Sequence, residues 1–395
     1  MDSGKIKSAQ KAVGMTLASN KKILIIAGEA SGDLHGSNLV CELKRINPGF
    51  KFSGMGGNRM KEQGVELSYH IDQLCFMGLF EVIKNLKFIL KVKKRMVSLL
   101  DQLRPDLAVL VDYPGFNLRF AKEVKKRKIP LVYYISPQIW AWGGQRINQI
   151  KKYVDQMIVI LPFEKEIYQK AGIQVEFVGH PLLEVVKPAL TREDFRRKLD
   201  IRKNQVLIGL LPGSRWQEVE KILPVMINAV TVLKRRMGNV TCAIGLASTL
   251  SKERVGSLLL NLEEAPQIVE DSTYDLMKHS DLLLVASGTA TLESAILETP
   301  LVVLYKTHFL TWIIGKSLVQ LPNISLVNIL AGKRIVPEYL QGSAQPEKIA
   351  SKMEEILEDR EEYESIKENL KKIRHTLGQE GASIKAAQIV NSMVK

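Results

Sequence analysis

Asp112 stands in the run Asp112-Tyr113-Pro114-Gly115-Phe116-Asn117, directly after the apolar stretch Leu107–Val111. An open parallel sheet gathers ligands at the carboxyl ends of its strands, so a carboxylate there is a candidate general base. The competing reading is a turn carboxylate bonded to its own backbone. Gly28-Glu29-Ala30-Ser31-Gly32-Asp33 holds the same position after Lys22–Ala27 and sets two carboxylates beside two glycines. Glu29 is the second candidate base. Gly28, Ser31, Gly32, Asp33 and Asn117 are candidate substrate contacts. The alternative for this loop is a helix over Leu34–Ile46 capped by Asp33 or Ser31.

Two later runs suit an anion. Leu211-Pro212-Gly213-Ser214-Arg215 follows the apolar stretch Val206–Leu211 and precedes a helical pattern. Its glycine lets backbone N–H groups approach a ligand, and its arginine can grip phosphate. Ser287-Gly288-Thr289-Ala290-Thr291-Leu292-Glu293 follows Leu282–Val285 and opens a helix. Unpaired N–H groups and the dipole at a helix start favour an anion. Glu293, in the first turn, either accepts ribose hydroxyls or completes a cap. Gly213, Ser214, Arg215, Ser287, Gly288, Thr289 and Glu293 are thus candidate nucleotide contacts.

Other chemistries lack their motifs. There is no G-x-x-x-x-G-K-[ST], and around Gly54, Gly56 and Gly57 the third glycine of a dinucleotide fingerprint is replaced by Arg59. No H-E-x-x-H, C-x-x-C or D-x-D occurs, so the expectation is no metal and no cofactor. A diphosphate site without metal must lean on Arg215 and the helix start. In Ser136-Pro137-Gln138-Ile139-Trp140-Ala141-Trp142-Gly143 the tryptophans either stack on sugar or plug the domain surface. His180, in Gly179-His180-Pro181, reads more readily as structural than as a ligand in a cleft.

The elements that must position these loops are short and apolar on both faces, as parallel strands under helices are. They are Lys22–Ala27, Leu107–Val111, Leu131–Ile135, Met157–Leu161 and Val175–Val178, then Val206–Leu211, Val240–Leu246, Gln267–Glu270, Leu282–Val285 and Leu301–Leu304. The alternation predicts an α/β protein of two Rossmann-like doubly wound domains. The expected division is a disordered extension over 1–20, a first domain over 21–186 carrying the candidate base, a second over 187–365 carrying the candidate nucleotide contacts, and C-terminal helices over 366–395 packing back across the domains. The chain has 395 residues, 46% hydrophobic and 25% charged, within the range of globular proteins. Residues 1–20 do not resemble a signal peptide. Cys41, Cys75 and Cys242 have no metal spacing and fit a reducing compartment.

A net charge of +14 calls for an anionic partner without choosing one. Leu79, Val82, Ile83, Leu86, Ile89, Leu90, Val97 and Leu100 recur at helical spacing, with Cys75, Phe76, Phe80, Phe88 and Val92 beyond that face. Lys84, Lys87, Lys91, Lys93, Lys94 and Arg95 surround them. The region Cys75–Arg95 is therefore either a wide core helix with a basic edge or a docking surface for an anionic membrane. A second basic cluster, Lys122 to Lys128, has few apolar neighbours. Nucleic acid is disfavoured, because the aromatic residues are not interleaved with basic ones.

In order along the chain, the Gly28, Asp112, Ser136, Leu211 and Ser287 runs, together with Leu161-Pro162-Phe163-Glu164 and Leu321-Pro322-Asn323-Ile324, resemble the signature series of the lipid A disaccharide synthases. The resemblance spans residues 23 to about 340 and implies a GT-B fold, with two Rossmann-like domains facing a central cleft. It implies UDP-2,3-diacylglucosamine as donor, 2,3-diacylglucosamine 1-phosphate as acceptor, and a β-1,6-linked disaccharide 1-phosphate formed with inversion. It also implies peripheral attachment at the cytoplasmic face of the membrane, and a homodimer that exchanges C-terminal segments. By position it makes Asp112 the catalytic carboxylate and ties Arg215, Glu293 and Asn323 to the donor. Some relatives carry a second acid where this chain has Gly115, so the base falls on Asp112 or Glu29. The rival readings are a GT-B enzyme of soluble UDP-sugars, such as a UDP-GlcNAc 2-epimerase, and an RNA-binding protein.

Overall fold

A computed structural model describes residues 20–74, 86–141, 143–260, 262, 264–307 and 322–394. The chain forms two compact units, Met1–Pro181 with Glu380–Lys395, and Leu182–Gln379. The sequence divides instead after 186 and 365.

The first unit alternates β1 (Lys22–Ala27), α1 (Ala30–Ile46), β2 (Lys51–Gly56), α2 (Asn58–Glu62), β3 (Glu66–His70), α3 (Leu86–Leu103), β4 (Leu107–Val111), α4 (Pro114–Lys126), β5 (Leu131–Tyr134), α5 (Arg146–Tyr153), β6 (Gln156–Val159), α6 (Pro162–Lys170) and β7 (Val175–Phe177). All seven strands are parallel, in the order β3-β2-β1-β4-β5-β6-β7. β1 and β4 are buried from Ile23 to Ala27 and from Leu107 to Val111, which is why both read as unbroken apolar runs.

The second unit holds α7 (Leu182–Val185), α8 (Arg192–Lys198), β8 (Val206–Leu211), α9 (Trp216–Met237), β9 (Val240–Gly245), α10 (Lys252–Gly256), β10 (Gln267–Val269), α11 (Thr273–His279), β11 (Leu282–Ala286), α12 (Thr289–Ile296), β12 (Leu301–Tyr305), α13 (Leu326–Ala331), β13 (Glu338–Leu340), α14 (Pro346–Glu358) and α15 (Arg360–Thr376). Its strands are parallel in the order β10-β9-β8-β11-β12-β13. The terminal helix α16 (Ala382–Met393) returns to the first unit and packs on α1 through Ala382, Ala386, Ala387 and Val390. Helix α15 stays with its own unit against α12 and α13.

Three strands escape the sequence pattern. β2 carries Ser53, Gly54 and Gly56, so its apolar run is broken. Gly54 is needed there, because a Cβ would overlap the carbonyl of Ile25 on β1. β3 and β13 are polar edge strands, which need less apolar content than central ones.

Candidate functional site

In each sheet the strand order reverses beside the first strand, at β1/β4 and at β8/β11. That switch point is where doubly wound sheets open a crevice. The four loops singled out in the sequence are the four that leave these strands: 28–33 and 112–117 in the first unit, 212–215 and 287–293 in the second.

In the first unit the two loops interlock. Helix α1 starts at Ala30, with Glu29 in the extended N-cap position, so neither Ser31 nor Asp33 caps it. Asp33 is buried and turns to the next helix: it accepts the N–H groups of Gly57 (2.6 Å), Arg59 (3.1 Å) and Met60 (3.1 Å) at the start of α2. This gives Asp33 a task inside the domain, in place of the expected substrate contact. Gly32 is buried where a Cβ would stand 3.3 Å from that of Ala27, so it lets α1 close onto β1. Ser31 is exposed and Glu29 half-buried. Gly28 is buried, and a Cβ there would enter the ring of Tyr113.

Asp112 and Tyr113 are both left-handed, with φ of 45° and 48°. This region costs a residue bearing a Cβ about 1–2 kcal/mol. Asp112 N–H donates to Tyr134 O at 2.9 Å. Asp112 O accepts two bonds, from Tyr133 Oη at 2.6 Å and Asn117 Nδ2 at 2.7 Å. Each such bond contributes roughly 0.5–1.5 kcal/mol, enough in sum to offset most of the strain. Asn117 is wholly buried and also donates to Val111 O at 3.2 Å, so it supports the turn instead of meeting a substrate as expected. The half-buried Asp112 carboxyl is pushed up to about 7, first by burial and then by the charge of Glu29, against the pull of the Tyr113 N–H. A group near 7 accepts protons efficiently at neutral pH.

The loop after β5 is held by Glu164 on α6. Its Oε1 accepts from Ser136 Oγ (2.6 Å) and Trp140 Nε1 (3.1 Å), its Oε2 from Leu161 N–H (3.2 Å), and burial lifts its carboxyl to about 7. Trp140 meets Phe163 edge to face, so it anchors this loop; Trp142 lies outside the described residues. His180 is buried in its own unit and held neutral, its imidazole lowered to about 3 by burial and by His35.

In the second unit a cavity of about 380 Å³ opens between the β8 and β11 loops, and Gly213, Ser214, Ser287, Gly288, Thr289 and Glu293 line it. Its size falls within the usual range for small-ligand sites. Gly213 has φ 115°, and a Cβ would approach Glu218 Oε2 to 2.7 Å, so glycine serves both backbone and packing. Glu293 is half-buried, accepts from Tyr274 Oη at 3.3 Å, and has its carboxyl raised by burial. Exposed residues Gly288 and Thr289 start α12 with room around Gly288 for a ligand. Arg215 does not line the cavity; its exposed guanidinium rests on Glu218 at 3.3 Å. Asn323 is also absent from the lining, although its neighbour Ile324 accepts Ser287 Oγ at 3.2 Å. Glu338 fixes that segment by accepting the N–H groups of Ile324 and Ser325 at 3.1 and 3.0 Å.

The sequence reading missed Glu218, Ser248, Glu270, Thr273 and Tyr274 in this cavity. Glu218 carries a signal, three residues after Arg215 in the first turn of α9; Ser248 and Glu270 follow β9 and β10, and Thr273 and Tyr274 start α11, all of which only the fold brings near. Among the described residues no cluster of three His, Cys, Asp or Glu side chains is placed to hold a metal.

A family model described as "Lipid-A-disaccharide synthetase" matches residues 23–393. The chain is similar to the lipid-A-disaccharide synthase of Syntrophus aciditrophicus, 42% identical over 95% of this chain and 98% of that protein. It is similar to that of Trichlorobacter lovleyi, 40% identical over 96% and 100%. Among solved structures it resembles the UDP-GlcNAc 2-epimerase of Neisseria meningitidis bound to UDP-GlcNAc, with TM-score 0.64 and 16% identity over 94% of this chain and 100% of that one. The calicheamicin glycosyltransferase gives TM-score 0.60 and 15% identity over 95% and 98%. At such identities these likenesses speak for the fold, and they bear out the GT-B expectation.

Proposed function

The chain belongs to the lipid-A-disaccharide synthetase family, and from that premise we propose that its two Rossmann-like units divide the reaction, the second holding the donor and the first activating the acceptor. The activity is that of an inverting glycosyltransferase, which joins UDP-2,3-diacylglucosamine to 2,3-diacylglucosamine 1-phosphate and releases UDP. The alternative as an epimerase of soluble UDP-sugars rests on fold likeness alone.

The diphosphate of the donor lies against the start of α12, with Ser214 and Gly213 opposite and Glu293 on the ribose. Arg215, free to leave its exposed pairing with Glu218, swings onto the phosphate. Asp112 takes the proton of the acceptor 6-hydroxyl while that oxygen bonds to the anomeric carbon. The bond from that carbon to the UDP oxygen breaks, and its electron pair leaves with UDP, whose growing charge Arg215 and the helix start balance. Glu29 keeps the Asp112 proton affinity high. What carries this reading is the place of Asp112 directly after β4 at the switch point of the first sheet, where burial and the charge of Glu29 push its carboxyl up.

The acylated substrates reach the protein from an anionic bilayer surface. On α3 the side chains of Lys87, Leu90, Lys91, Lys94 and Arg95 are exposed, Leu90 by 55%. Cations around an apolar side chain suit that interface. The part of the expected patch over 75–85 lies outside the described residues. In the second basic cluster Lys125 pairs with Asp155, Lys126 with Glu123 and Arg127 with Asp101, which favours a solvated face. Among the described residues no helix is long and apolar enough to cross a membrane.

The test is a product assay with both acylated glucosamines and no added metal. UDP and the disaccharide 1-phosphate should form together. Turnover of UDP-GlcNAc without acyl chains, and none of the acylated pair, would reject the reading.

A further inference from the structure

Among the described residues of the first unit, five bearing side chains have left-handed φ: Arg104, Asp112, Tyr113, Lys128 and Ile135. Arg104 and Lys128 follow the ends of α3 and α4, where this conformation terminates helices routinely. Asp112, Tyr113 and Ile135 instead leave the adjacent strands β4 and β5 at one sheet edge. For β-branched Ile135, with φ 65°, the conformation is an outlier. Such strain persists only where the surroundings over-determine it, and it gathers at working sites.

The surroundings of Asp112 can be named. Tyr133, on β5 opposite Leu110, is wholly buried, and its hydroxyl points at Asp112 O from 2.6 Å. Asn117 Nδ2 fills the second lone pair of that carbonyl at 2.7 Å, while Asn117 Oδ1 is buried without a partner. Nδ2 also donates to Val111 O at 3.2 Å, so both amide hydrogens serve this turn. The ring of Tyr113 over Gly28 closes the other side. The peptide that carries the Asp112 carboxylate is therefore pinned from the sheet, the helix and the neighbouring loop.

We propose that Tyr133 is a positioning residue for the transfer reaction: through its hydroxyl bond to the Asp112 carbonyl it holds the strained turn that aims the Asp112 carboxylate at the acceptor hydroxyl. The proposal rests on the reading of Asp112 as the base.

The experiment compares full-length wild type with Tyr133→Phe, Asn117→Leu and Asp112→Asn, reading kcat, donor KM and the pH dependence of kcat/KM. Tyr133→Phe keeps the ring and removes one donor. It should lower kcat at least tenfold, leave donor KM unchanged, and move the acid limb to lower pH as the carboxylate is released toward water. Asn117→Leu keeps the volume, removes the second donor without adding a charge, and should act in the same direction; it decides the matter if the first variant does not fold. An unmoved acid limb in the folded variants, whether kcat is normal or merely reduced, overturns the proposal, because a structural defect changes only the active fraction. Wild-type turnover in Asp112→Asn overturns the base reading and the proposal with it. An inactive Asp112→Asn beside an unmoved Tyr133→Phe overturns the proposal alone.

Discussion

The ring of Tyr113 lies over Gly28 so closely that no side chain fits between them. Gly28 follows β1 and Tyr113 is the residue before α4, so one contact couples the two loops that carry Glu29 and Asp112. Gly28→Ala should therefore disturb both. Overpacking of this kind costs about 1–3 kcal/mol. The melting temperature should fall by roughly 2–4 °C for each of these kcal/mol, and turnover should drop further than donor affinity. Calorimetry alongside steady-state kinetics checks both.

Asp112→Asn removes the proposed base and keeps the shape. Turnover should fall about 10²–10⁴-fold, while UDP binding, proposed for the other unit, stays as it was. Single-turnover rates and isothermal titration with UDP separate the two. Near-normal turnover would reject the assignment.

The pH dependence follows from the same carboxyl. Its proton affinity is raised to about 7, and only the ionised form accepts a proton. The rate should hence be lost as pH falls through about 7 and reach a plateau above it. Folding responds in the opposite sense: the ionised form is disfavoured in the fold, so this group lowers stability as pH climbs from the ordinary carboxylate range to about 7. A kcat/KM profile with its acid limb near 4 would contradict the first statement.

Arg215→Ala removes an exposed side chain whose pairing with Glu218 adds little to folding. The melting temperature should stay within a degree or two. UDP affinity should weaken by about 10- to 150-fold, the worth of a hydrogen bond to a charged group at roughly 1.5–3 kcal/mol. Unchanged UDP affinity would leave the diphosphate to the α12 start alone.

Exchanging Lys87, Lys91 and Lys94 for glutamine, with Leu90→Ser, should weaken binding to anionic liposomes. Each lysine contributes about 1 kcal/mol near such a surface, and the remaining binding should lose its salt dependence. Cosedimentation at two salt concentrations reads this directly, and the variant should still form disaccharide from detergent-dispersed substrates.

Much of this protein is written in local sequence. Strands such as β1, β4, β8 and β11 are central and buried on both faces, so their apolar runs announce them, and the loops that follow them announce the sites. The candidate chemistry is local too, because a carboxylate after a strand and a glycine-serine turn before a helix are each set by the backbone next to them. What the chain alone left open is which of these groups face a ligand. Asp33 and Asn117 looked like substrate contacts, yet each is consumed by backbone groups brought beside it by folding, Gly57 to Met60 in one case and the Asp112 carbonyl in the other. Tyr133 and Tyr274 gave no signal, since a tyrosine inside an apolar run or on a short helix reads as packing until its hydroxyl is seen to meet Asp112 or Glu293. Neighbours along the chain announce the central strands and the loops after them; hydrogen bonds and burial join residues distant along it, and these set the proton affinity of Asp112 and the lining of the cavity.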